Sequence, residues 1–151
     1  MIERVEAPER RAEIARAILE ALPDWFGIEE SRERYIAESR ERLTLAAVKA
    51  GRPVGFLCLK ETGDATVELA VMGVLPDCHR KGYGRRLVEA AVACAREAGY
   101  RFMQVKTVKM GVYEDYDRTN RFYRSMGFQE FEVFPEMWDA ANPCQIYVMA
   151  L

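Results

Sequence analysis

Apolar positions along the chain change their spacing repeatedly, and each change marks a change of element. Residues 9–41 are dense in Ala, Arg, Glu, Ile and Leu and are interrupted by Pro23 and Gly27. That pattern predicts two helices joined by a turn over residues 22–27. Short apolar runs then follow at 43–48, 53–60 and 66–74, separated by polar residues 49–52 and 62–64, as expected of three consecutive antiparallel strands. After Pro76 the period becomes helical: Leu87, Ala91, Cys94 and Ala98 share one side, Arg86, Glu89, Ala93, Arg96 and Glu97 the other, and Gly99 closes the helix. Residues 102–108 alternate as a strand, 117–126 read as a short helix ended by Gly127, and 128–134 and 145–151 are strand candidates. The order predicts an α/β fold of the α+β type: a mixed, mostly antiparallel central sheet flanked by helices. The strands before and after the long helix can lie parallel in it.

Composition narrows the classes. A chain of 151 residues, half of them apolar, suits one folded domain over residues 1–151. The 22 Lys plus Arg nearly balance 24 Asp plus Glu, giving a formal charge of −2, so the clustered positive charge of a nucleic-acid binder is not expected. The four cysteines, Cys58, Cys78, Cys94 and Cys144, form no C-x-x-C pair, which argues for reduced thiols and against a zinc ribbon; no metal is expected. Neither a charged leader with an apolar stretch nor a membrane-length apolar run is visible, so a cytoplasmic protein without membrane contact is expected.

The most informative stretch is VMGVLPDCHRKGYGRRL, residues 71–87. Gly82 and Gly84 stand between a predicted strand and the long helix, where free backbone amides and the helix dipole favour an anion. Arg80, Lys81, Arg85 and Arg86 add positive charge, and a pyrophosphate is the natural occupant. A dinucleotide fingerprint would need glycine where Leu87 stands, and a Walker loop would need a Lys-Ser or Lys-Thr pair that is missing. A tight strand-to-helix turn with no ligand remains the plain alternative.

The segment from Val74 through Pro76, His79, Gly82 and Gly84 to Leu87 resembles the acyl-CoA pyrophosphate loop of the GNAT superfamily of N-acetyltransferases, V-x-P-x-x-[QR]-x-x-G-x-[GA]-x-x-L. It departs at one position, His79 in place of Gln or Arg. A second block, Asn120 to Phe128 with Tyr123 and Gly127, is similar to the family's Y-x-x-x-G-F ending. The resemblance implies direct acetyl transfer from acetyl-CoA to a primary amine of a small molecule or peptide. It implies backbone amides near Val74 for the pantetheine arm and carbonyl, and those around His79, Arg80, Lys81, Gly82, Tyr83, Gly84 and Arg85 for the pyrophosphate. Tyr123 matches the family's general acid, against the plain reading of a half-buried helix tyrosine. Glu68, six residues before Val74 on an otherwise apolar strand, is the candidate general base, against a cross-strand charge pair. The family's frequent asparagine contact to CoA is missing, since Tyr116 stands there; Asn120 is its candidate substitute.

The acceptor is less legible. The acidic, aromatic residues 113–117 suit a cationic amine, yet Asp115 or Asp117 could equally cap the helix and Glu114 favour its positive end. Trp25 and Phe26 could line an acceptor pocket or pin their turn; Phe134, Trp138 and Pro143 could cover the site or pack a long connection. A non-catalytic acyl-CoA-binding regulatory module is the alternative function, and a Cys78 nucleophile beside His79 a weaker third. Monomer and homodimer both stay open.

Overall fold

The computed structural model describes residues 1–151. Its elements run β1 (Ile2–Val5), α1 (Pro8–Glu20), α2 (Pro23–Phe26), α3 (Glu29–Ser39), β2 (Leu43–Lys49), β3 (Arg52–Gly63), β4 (Thr66–Val74), a 3₁₀ turn (Pro76–Cys78), α4 (Tyr83–Glu97), β5 (Phe102–Val108), α5 (Glu114–Ser125), β6 (Gln129–Asp139) and β7 (Asn142–Ala150). The strands form one sheet in the order β1-β2-β3-β4-β5-β7-β6, mostly antiparallel, with β4 and β5 as its parallel pair. The mixed fold and the parallel pair are as the sequence predicts. No helix is long and apolar enough to cross a membrane.

The chain divides into two units, Met1–Lys60 with Ala70–Cys94 and Glu61–Leu69 with Ala95–Leu151. In the first, proline opens α1 and α2, where its missing amide proton costs nothing. Ile14, Ile18 and Leu19 of α1 and Leu87, Val88 and Ala91 of α4 are buried, as are Leu45, Phe56 and Leu57 of the strands. α1 comes so close to β4 that a Cβ on Gly73 would lie 2.8 Å from Leu22 Cδ1 and 3.0 Å from Ile18 Cγ2. Arg16 on α1 clamps Glu33 on α3 through two hydrogen bonds of 2.9 Å, which hold the guanidinium pKa up and the carboxyl pKa down.

In the second unit, Thr66–Leu69 of β4 pair with Phe102–Val105 of β5, and β5 pairs along its whole length with β7. The alternation of β4 puts Val67 and Leu69 on one face and Glu68 on the other. β6 is the outer strand, exposed through most of its length and interrupted by two irregularities of register, between Glu130 and Glu132 and between Phe134 and Asp139.

Four boundaries differ from the sequence reading. β1 was not expected: it has four residues, of which only Val5 is buried, too few for alternation to show. The turn after α1 contains its own helical turn, α2. α5 begins at Glu114, because Glu114, Asp115 and Asp117 in its first turn favour the positive helix end while adding nothing to the apolar period. The last two strands form one long hairpin, so Phe134 and Trp138 lie within β6 and Pro143 within β7 rather than in a connection. On α4 the buried stripe is Leu87, Val88, Ala91 and Ala95, leaving Cys94 half-buried and Ala98 exposed. The helix ends where expected: Gly99, at φ 90°, donates to the Arg96 carbonyl and Tyr100 to that of Ala95, the left-handed ending that glycine makes easy.

All four cysteines are free thiols. Burial pushes Cys58 and Cys144 from an ordinary 9.0 up to about 11. A thiol held protonated in the fold has no effect on stability below its ordinary value, and opposes folding above it, where the unfolded chain ionises. Thermal stability is therefore expected to lose a thiol-dependent increment as pH rises from 9 toward about 11. The decline should be shallower in Cys144→Ala; parallel declines in parent and variant would remove this contribution.

Candidate active site

The glycine loop is shaped by two left-handed residues. β4 ends at Val74, whose successor Leu75 donates to the Val54 carbonyl at 2.8 Å. Past the 3₁₀ turn, Arg80 at φ 61° and Gly82 at φ 85° swing the backbone into α4. The Gly82 carbonyl accepts the first helical bond, from Arg86 at 3.1 Å, so the amides of Tyr83, Gly84 and Arg85 head the helix without intrahelical partners. No acidic residue stands in this first turn, and Arg80, Lys81 and Arg85 are exposed beside it. Arg86 folds back instead: its guanidinium sits 4.6 Å from the Tyr83 ring centroid and donates to the carbonyls of Gly82 and Lys81 at 3.3 and 3.4 Å. These features fit a bound pyrophosphate: unpaired donors, a dipole of the right sign and exposed cations at the rim.

His79 takes another direction. Its Nε2 lies 2.6 Å from the Val74 carbonyl oxygen, and its ring meets Trp25 edge-on at 5.9 Å. A carbonyl only accepts, so Nε2 carries the proton. The neighbouring Cys78 is 5% exposed with its sulfur 3.7 Å from Asp77 Oδ1. The imidazole is thus engaged away from it, and no nucleophile and base pair is assembled there.

In the second unit Glu68 is 8% exposed. Its Oε1 accepts from Gln104 Nε2 at 2.9 Å and pairs with Lys106 Nζ at 3.1 Å, both on β5. Tyr123, on α5, is buried with its ring 5.7 Å from Phe128 and 6.3 Å from Tyr147. Tyr147 pairs with Val105, while Glu68 pairs with Gln104 one position earlier on β5. Glu68 and α5 therefore lie on opposite faces of these strands.

The sequence profile described as the Acetyltransferase (GNAT) family matches residues 8–128. The chain belongs to this family. Uncharacterized N-acetyltransferases of Mycobacterium tuberculosis and Mycobacterium bovis are 33% identical to it over 95 residues, 63% of this chain and 57% of theirs. The match thus spans little more than half the length of those relatives. A protein of the GNAT family from Desulfovibrio desulfuricans superposes with a TM-score of 0.87 at 21% identity, covering 99% of this chain and 98% of that one. A GNAT acetyltransferase from Elizabethkingia anophelis, solved with acetyl-CoA bound, superposes at 0.72 with 14% identity over 100% and 97%. Both show the GNAT fold.

The second GNAT block now has a physical reading. Gly127, at φ 98°, donates to the Arg124 carbonyl, and Phe128 to that of Tyr123, both at 3.1 Å. This is a Schellman ending, with the Phe128 ring folded back edge-on to Tyr123. The glycine and phenylalanine of the motif stop the helix and fix the tyrosine ring.

Asn120, expected as a substitute contact to the cofactor, is instead fully buried. Its amide nitrogen donates to the carbonyls of Val108 at 2.8 Å and Tyr116 at 2.7 Å, and its oxygen accepts from Tyr147 at 2.6 Å. With both amide protons engaged inside the protein, it braces α5 against β5 and β7. Asp117, in the first turn of α5, accepts from the Gly111 amide of the preceding loop at 2.7 Å, and Asp115 pairs with Arg118. Neither caps α5, whose N-cap is Tyr113. The sequence reading missed Tyr147, Gln104 and Lys106. The last two were findable, because polar residues alternating on a buried strand need partners just as Glu68 does.

Replacing Asn120 by Ala would take a donor from the Val108 and Tyr116 carbonyls and leave the Tyr147 hydroxyl, whose oxygen also accepts from Arg124 Nε at 3.2 Å, without an acceptor for its proton, at a cost of about 1–3 kcal/mol. Gly127→Ala forces a side chain into left-handed backbone at about 1–2 kcal/mol. Both are checked by urea unfolding; stabilities within error of the parent would refute the brace and the helix ending respectively.

Proposed function

We propose that the chain is an N-acetyltransferase that moves an acetyl group directly from acetyl-CoA to a primary amine of a small molecule or peptide. The observation that carries this reading is the glycine loop: a GNAT motif whose backbone presents unpaired amides at the head of α4, with no carboxylate in the first turn. The amides of Tyr83, Gly84 and Arg85 hold the pyrophosphate, with Arg80 and Lys81 at its rim, and the backbone at Val74 holds the pantetheine arm. The acetyl-CoA-bound relative from Elizabethkingia anophelis supports the same co-substrate.

Glu68 acts as base, accepting the proton of the acceptor ammonium. The neutral amine nitrogen then bonds to the thioester carbon, the carbon–sulfur bond breaks as Tyr123 gives its hydroxyl proton to the departing thiolate, and the second nitrogen proton leaves to solvent, from which Tyr123 is reprotonated. Lys106 and Gln104 orient the Glu68 carboxylate through one oxygen.

That same pairing favours a second reading, a non-catalytic acyl-CoA-binding module in which Glu68 is a cross-strand ion pair. Calorimetric titration with acetyl-CoA, with ATP and NAD as controls, tests what both readings share: saturable binding of acetyl-CoA alone is expected, and none would refute both. Thiol release in an amine screen then separates them. Tyr123→Phe and Glu68→Gln are each expected to lower kcat by roughly 10²-fold or more with acetyl-CoA binding retained. A Glu68→Gln protein at full rate across neutral and mildly acidic pH would refute the base, and an unchanged Tyr123→Phe rate the acid.

A further inference from the structure

His79 occupies the position at which the family pattern has Gln or Arg, yet its side chain turns back on its own chain. Its donated hydrogen bond to the Val74 carbonyl, 2.6 Å long, spans five residues and closes the base of the loop into a ring. On its other side the imidazole meets the edge of Trp25 at 5.9 Å and 78° between planes. Trp25 belongs to α2, a single turn with no buried residue and no side-chain cap. α2 is held by Arg32, which donates to the Phe26 carbonyl at 3.3 Å, and by ring contacts: Phe26 leans on Tyr35 at 6.0 Å as well. Directly after His79 come the left-handed residues Arg80 and Gly82. Any adjustment of that backbone around a phosphate pulls on the imidazole.

We propose that His79 is a positioning residue that fastens α2 to the head of the glycine loop, so that acetyl-CoA in the loop is felt at Trp25. This rests on the acetyl-CoA reading above. It gives His79 a role that glutamine fills only in part, since an amide can replace the hydrogen bond to Val74 but not the edge-on ring.

The chain has two tryptophans, so Trp138→Phe leaves Trp25 as the sole indole reporter. In that background, without ligand, His79→Ala is expected to raise acrylamide quenching of Trp25 and hydrogen exchange at Trp25 and Phe26, while lowering the melting temperature by only a few degrees, the scale of one lost hydrogen bond. Equal quenching and exchange would overturn the fastening. With acetyl-CoA, the parent should show a saturable Trp25 emission change whose midpoint equals the calorimetric one. His79→Ala should lose that change and bind more weakly by at most about tenfold, the limit set by one net hydrogen bond that holds the free loop in its binding shape. His79→Gln should restore the affinity without the emission change. An emission change that survives His79→Ala, or a parent that binds by calorimetry without any Trp25 response, overturns the coupling alone. A parent that binds no acetyl-CoA by calorimetry overturns the functional reading and the coupling with it.

Discussion

One parallel pairing in an otherwise antiparallel sheet governs the placement of everything functional in this chain. Antiparallel neighbours can be joined by a turn of two residues, as β2 and β3 are at Ala50 and Gly51. A parallel neighbour requires the chain to travel back along the sheet before it re-enters, and here α4 makes that journey between β4 and β5. A helix in that role must begin near the end of the strand that feeds it. The free amides at the head of α4 and the backbone of Val74 are neighbours along the chain for that reason. The glycine loop supplies the sharp reversal, and Gly82, in left-handed backbone, makes it without strain.

The helix endings, the glycine loop and the run of strands over residues 43–74 were legible because each is written in local rules: a period, a breaker, a residue that tolerates positive φ. Gly99 and Gly127 were read as helix stops, and both make the hydrogen bonds that this ending requires. Glu68 was legible as an anomaly on an apolar strand, and Gln104 and Lys106 as polar positions on another, but their pairing was not, since only register joins the two strands. Asn120 shows the limit more sharply. From sequence it is a polar residue one turn before a tyrosine; only the position of Tyr147, on the last strand, makes it a buried brace. His79 is similar, its ring partner lying in a distant helical turn. Short boundaries failed for a related reason, β1 being stabilised by pairing with β2 rather than by any pattern of its own.

The two blocks that resemble the family differ in what they encode. The first presents backbone, and its side chains matter mainly by staying out of the way or adding positive charge. The second encodes the end of a helix. Tyr123 sits where the last turn, the left-handed Gly127 and the ring of Phe128 converge, so its position is set from three directions. The chain holds a candidate proton donor rigidly by the same interactions that terminate α5.

The exposed outer strand has a consequence for how copies of this molecule meet. β6 offers eleven residues of unpaired backbone edge, a length that invites another strand to add itself. Yet Pro135 has no amide proton to give, the two breaks in register bend the ladder, and Glu130, Glu132, Glu136 and Asp139 spread negative charge along it. A second copy presenting the same strand would set carboxylate against carboxylate. These features make the edge a poor template for endless strand-on-strand growth, while its apolar residues, Phe131, Met137 and Trp138, lie exposed beside the carboxylates.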